Sequence, residues 1–161
     1  MTRFAYILAL SLPAFAQLHE VSIKLGGIEC ASCSLSIPKA LKKIKGVETA
    51  AFNEKDAAAD IRLAEKNTVT LDQVRDALKG LGYTPEVANV RARGRIRRGD
   101  KGALYFELEG TDVFFNAVPV TEVGLAGKLV EITGIATQPR GRGTAESLLI
   151  YTMKPVESEA K

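Results

Sequence analysis

The sequence predicts an α+β protein in which a βαββαβ unit is followed by a small all-β barrel. Two segments with apolar residues at helical spacing lie among segments that alternate apolar and polar residues. Beyond about Asn89 the helical period disappears, and short apolar runs are divided by Gly and Pro.

The chain has 161 residues, enough for one ordinary domain or two small ones. Its 22 basic and 19 acidic side chains leave a formal charge of only +3. That balance gives no electrostatic reason to expect nucleic acid or an anionic membrane as partner.

Met1 to Ala16 has the three parts of a secretory signal: Arg3, the apolar run Phe4 to Leu12, and Ala14-Phe15-Ala16 as cleavage site after the breaker Pro13. The alternative is a buried helix or a membrane span, but the run is about nine residues against the roughly 20 that cross a bilayer. The expected cut precedes Gln17, and the mature chain is expected to be periplasmic or secreted and not membrane-spanning. No cysteine directly follows the run, so a lipid anchor is not expected.

The first strand is Glu20 to Leu25, where Val21, Ile23 and Leu25 share a face and Gly26-Gly27 ends the run. The first helix lies within Cys33 to Lys45, with Leu35, Ile37, Leu41 and Ile44 inward and Gly46 as its C-terminal cap. Strands at Val47 to Phe52 and Ala57 to Leu63 are joined by Asn53-Glu54-Lys55-Asp56 as a hairpin. Thr70 and Gln73 stand at capping-box spacing before a second helix that carries Leu71, Val74, Leu78 and Leu81 inward. It stops at Gly80 or Gly82, and a fourth strand covers roughly Tyr83 to Val90.

Further strands are expected at Val90 to Arg97, Ala103 to Glu109, Val113 to Val118, Leu129 to Thr137 and Ser147 to Met153. Five short strands suit a barrel, because closure removes exposed sheet edges. The expected division is therefore a signal over 1–16, one domain over 17–89, a second over 90–156 and a frayed tail over 157–161.

Both cysteines lie in Gly27-Ile28-Glu29-Cys30-Ala31-Ser32-Cys33, a loop between a strand and a helix start. Unpaired N–H groups and the positive end of the helix dipole favour thiolates there, and the thiolate is the form that binds metal. Two sulfurs at this spacing can converge on one ion. Spacing alone leaves a structural disulfide and a redox-active CxxC open as well. Against the redox reading, Ala31-Ser32 separates the cysteines and the chain has no Trp.

The GIECASC loop, with Leu41-Lys42-Lys43-Ile44-Lys45-Gly46-Val47 and Ala77-Leu78-Lys79-Gly80-Leu81-Gly82-Tyr83, resembles the heavy-metal-associated domain family over about Leu18 to Asn89. That family includes copper chaperones, modules of metal-pumping ATPases and periplasmic mercury-binding proteins. The resemblance implies a ferredoxin-like βαββαβ fold and one soft metal ion at Cys30 and Cys33, Cu(I) first, with Hg(II) or Zn(II) as alternatives. It implies exchange with a metal-transporting membrane protein or another metal carrier, and it places Tyr83 near the metal loop.

Three residues depart from the family pattern. Ile28 stands where Met is common, and Pro38 falls beyond the first helical turn, where it is expected to kink the helix or delay its start. Glu29 resembles the acid of zinc- and cadmium-type modules, against the simpler reading of a solvated loop acid.

His19 is the sole histidine and is expected to be solvated, with Cu(II) binding beside a terminal amine as the alternative. Arg91, Arg93, Arg95 and Arg97 alternate onto one face, and Arg140 and Arg142 add charge in a glycine-rich turn. Such a face fits solvent or protein docking better than nucleic acid. Tyr105-Phe106 and Phe114-Phe115 are adjacent pairs, so one member of each is expected to enter the core. The second unit resembles OB-type barrels in pattern only.

No nucleophile elbow, Ser–His pair or phosphate loop is present, so the chain is not expected to be an enzyme. The expected function is capture or transfer of a soft metal outside the cytoplasm. The alternatives are a thiol–disulfide oxidoreductase and a polyanion- or partner-binding module acting through the barrel.

Overall fold

The computed structural model describes residues 18–27, 33–118, 123–138 and 145–156. The expected signal, its cleavage site, the turn holding Arg140 and Arg142, and the tail over 157–161 lie outside the described residues.

The chain forms β1 (Leu18–Gly26), α1 (Cys33–Leu41), β2 (Val47–Asn53), β3 (Ala58–Leu63), α2 (Leu71–Lys79) and β4 (Thr84–Arg98). It continues with β5 (Leu104–Leu108), β6 (Phe114–Val118), β7 (Leu129–Thr137) and β8 (Ser147–Pro155). The first four strands are antiparallel in the order β2-β3-β1-β4, the arrangement of a ferredoxin-like βαββαβ sheet.

From β4 the sheet passes through β5, β6, β8 and β7 and returns to β4, closing a five-stranded barrel. Among the strand pairings of the described residues β6 and β8 are parallel and the others antiparallel. The fold is thus α+β, a ferredoxin-like unit joined to a closed β-barrel.

The strands expected to end and to begin at Val90 are one strand. Asn89 pairs with Ser22 of β1 on one side and Ile135 of β7 on the other, so the boundary read at Asn89 falls inside β4. From Ala88 onward alternation runs through the boundary without a break: Ala88, Val90, Ala92, Gly94 and Ile96 turn inward. The core is correspondingly continuous, from Leu18, Ile23, Ile37 and Leu78 to Phe106, Ile132 and Leu148. Each such buried side chain stabilises the fold by about 1.5–3 kcal/mol.

Helix α1 lies within the expected span but ends at Leu41, so Gly46 is not its cap; turns carry the chain on to Gly46, whose φ of +104° suits glycine. Pro38 neither delays nor divides it; the helix starts at Cys33 and passes through Pro38, whose carbonyl still accepts from Lys42 N–H at 3.0 Å. Leu35, expected inward, is 77% exposed. It sits about 200° around the helix from the buried Ile37, on the opposite side.

The capping box of α2 is formed in full: Gln73 N–H donates to Thr70 Oγ1 and Thr70 N–H to Gln73 Oε1. Leu71, Val74 and Leu78 are buried as expected, but Leu81 lies beyond the cap at Gly80 and is exposed. In the barrel Phe106 and Phe115 enter the core with ring centroids 6.5 Å apart, while Phe114 faces out.

Candidate metal centre

Two elements frame the segment that holds the cysteine pair. β1 ends at Gly26, followed by Gly27 at φ +78°, and Cys33 is the first residue of α1. Ile28, Glu29 and Cys30 lie outside the described residues, as does the side chain of Cys33. A group at the start of α1 sits at the positive end of the helix dipole, and the first turn has no acidic side chain to offset that field.

Both flanks of this segment rest on residues 83–85. Leu25 and Gly26 pair with Pro85 and Thr84, and Leu25 N–H also donates to the Ala57 carbonyl at 2.8 Å. On the helix side, the Tyr83 hydroxyl meets Ser36 Oγ at 3.3 Å. The tyrosine that the resemblance placed near the loop thus contacts α1 about one turn after Cys33.

His19 departs from its expected solvated state. A bulge in β1 sets it on the sheet beside the barrel, half-buried, with Nε2 enclosed and without a hydrogen-bond partner among the described residues. Burial lowers its pKa below 6.5, helped by Arg93 and Arg91 and opposed by Glu131 and Glu65.

The arginine stripe does share one face, but carboxylates and a carbonyl occupy most of it. Glu131 Oε1 accepts from Arg91 Nε at 3.1 Å and Nη2 at 2.9 Å, Glu107 pairs with Arg97 at 2.5 Å, and Arg95 donates to the Gly127 carbonyl at 3.2 Å. A cavity of about 380 Å³ lies beside this stripe on the sheet, lined by Glu20, Ser22, Asp60, Arg62, Asn89 and Arg91 among others. None of the residues flanking the cysteine segment lines it.

Sequence reasoning missed two contacts between the units. Arg75, on the inward face of α2, is 2% exposed and forms an ion pair with Glu146 just before β8. Among the described residues no other group hydrogen-bonds either charged end. Burial lowers the Arg75 pKa, against the opposing pull of Asp72. The second contact joins Gln138, at the end of β7, to Pro85: Nε2 donates to the Pro85 carbonyl at 2.5 Å. No local signal in the sequence marks either, since each partner lies far along the chain.

Among the described residues no group of three or more His, Cys, Asp or Glu is placed to hold a metal. No helix of the described residues is long and apolar enough to cross a membrane.

A ferredoxin-like sheet whose first helix opens at Cys33, with Cys30 three residues earlier in the sequence, defines a class of small modules with a cysteine pair at the first strand-to-helix junction, here joined to a barrel. The chain belongs to the heavy-metal-associated domain family, which residues 22–84 match. An uncharacterized protein of Haemophilus influenzae is 32% identical over 88 residues, 53% of this chain and 94% of that one. Among solved structures, a CopZ metallochaperone is 25% identical, covering 41% of this chain and 97% of that one at a TM-score of 0.38. The N-terminal domain of a potential copper-translocating P-type ATPase from Bacillus subtilis is 26% identical, covering 42% and 84% at a TM-score of 0.38.

Proposed function

We propose that this protein is a carrier of a soft metal ion, Cu(I) foremost, bound by the thiolates of Cys30 and Cys33. The observation that carries the reading is the heavy-metal-associated match over residues 22–84, which spans both cysteines. Soft sulfur ligands select soft cations, and two of them leave the ion open to a third. A thiolate of the acceptor attacks the bound ion, one metal–sulfur bond forms as another breaks, and no electron changes hands. The acceptor is a metal-transporting membrane protein or a second carrier. Hg(II) and Zn(II) are the competing cargoes, with Glu29 as the residue that would favour a divalent ion through a hard oxygen.

Residues 1–16 fit export, so the carrier works in the periplasm or outside the cell, where its thiols need metal or a reductant to stay unoxidised. The barrel, whose strand order and single parallel pair suit an OB-like fold, serves as a rigid companion to the metal unit.

An anaerobic competition titration with Cu(I), Hg(II) and Zn(II) tests the reading on the reduced mature chain and on its Cys30→Ser, Cys33→Ser and Glu29→Gln variants. Tight Cu(I) binding that both serine substitutions abolish is the expected result. Equal binding by the double-serine chain would overturn it.

A further inference from the structure

We infer that Gln138 of the barrel is a positioning residue for the cysteine segment, so that the barrel sets the rate at which metal is handed over. The inference rests on the metal-carrier reading and concerns a residue outside the family match.

The geometry runs through residues 83–85. Tyr83 reaches α1 at Ser36, while Thr84 and Pro85 pair with Gly26 and Leu25, the last residues of β1. Whatever holds this short stretch therefore holds both flanks of the cysteine segment. Pro85 has no N–H, so it cannot be fixed through a backbone donor of its own. Its carbonyl instead accepts from Gln138 Nε2, which the barrel supplies.

The ladder beside it does not make this bond redundant. β7 pairs with β4 from Leu129↔Arg95 to Ala136↔Ala88, and the paired residues stop there. Between Ala88 and Pro85 the β1–β4 register shifts, with Glu86 and Val87 set against Lys24. Such a bulge interrupts the ladder and bends the strand. Gln138 spans that interruption and ties the barrel to the far side of it.

On this inference the thiols of Cys30 and Cys33 bind the ion, and Gln138 acts on them only through residues 83–85. Loss of its bond leaves the ligands in place but frees residues 83–85. The flanks then move more, and an attacking thiolate reaches the ion more readily.

The test uses the full mature chain with Gln138→Met, which keeps length and loses the donor, and Gln138→Arg, which restores one. Two quantities are measured: the rate at which bound Cu(I) passes to a competing thiol chelator, and amide hydrogen exchange at residues 24–27 in the metal-free protein. The expected result is a hand-over about threefold faster, or more, in Gln138→Met, with exchange at 24–27 accelerated, an unchanged denaturation midpoint and recovery in Gln138→Arg. Unchanged exchange at 24–27 would overturn the inference, and so would accelerated exchange with an unchanged hand-over rate. If the parent chain binds no Cu(I), the carrier reading fails on that evidence, and the hand-over part of the inference falls with it.

Discussion

Arg75 on α2 and Glu146 at the entry to β8 form a buried ion pair that joins the ferredoxin-like unit to the barrel. Removing one partner strands a charge in the interior, which costs about 3–5 kcal/mol, whereas replacing both with apolar groups of similar volume is often neutral or stabilising. Arg75→Ala is therefore expected to lower stability by about that amount. The Arg75→Met, Glu146→Leu pair is expected to recover most of it. Urea unfolding of the single and double variants checks this; additive losses would show that the two residues do not act together.

Gly94 lies on β4 between the edges of β5 and β7. An added Cβ would overlap the Glu107 carbonyl oxygen and come within 2.6 Å of the Phe106 ring. Gly94→Ala is expected to destabilise by about 1–3 kcal/mol or more, since the nearest atom is backbone and cannot swing away. The denaturant midpoint of this variant measures it, and a midpoint equal to the parent's would contradict the packing.

The depressed pKa of His19 gives a signed dependence on pH. The unfolded chain takes up its proton near pH 6.5, while the folded chain takes it up only at lower pH. The contribution of His19 to stability is thus complete above about pH 6.5 and is lost as pH falls through the folded pKa. Thermal unfolding from pH 7.5 down to pH 5 is expected to show this loss, and His19→Gln is expected to flatten that part of the profile. An identical slope in the variant would assign the effect to other groups.

Phe106 is fully buried against Phe115 where the barrel core meets β4. Phe106→Ala is expected to cost about 3–5 kcal/mol. Because the core is continuous across both units, the loss is expected to appear as a lower midpoint of one transition in calorimetry. Two separated transitions would show that the units melt independently.

Much of the fold was legible where the cause is local. Alternation at Val21, Ile23 and Leu25 located β1, Thr70 and Gln73 marked the start of α2, and the limits of β7 followed from Leu129 to Thr137. The continuity of β4 was harder to read because small residues, Ala88, Ala92 and Gly94, carry its inward face while its outward face changes from mixed polar residues to arginines. That change looks like a boundary, although the period of two continues through it. Leu35 was misread because an apolar residue at approximate spacing was given to the inward face, which Ile37 and Leu41 already fix.

At the site, the motif nominated Cys30 and Cys33, whose thiols lie outside the described residues, while the contact of Tyr83 with α1 agrees with the family resemblance. Burial of Arg75 was not, because an arginine on a helix ordinarily faces water and only Glu146 explains its place inside. The same holds for Gln138, whose partner is a backbone carbonyl and leaves no mark in composition or spacing.

The sharing of β4 also orders events in time. A chain that emerges from its N-terminus presents Cys30 and Cys33 long before β7 and Glu146 exist to complete the fold around α2 and β4. Until then the outer edge of β4 is an open strand edge, and the two thiols stand on an unfinished scaffold. The edge that β4 offers between Ala88 and Arg95 is therefore closed last, by a strand that lies some forty residues further along the chain.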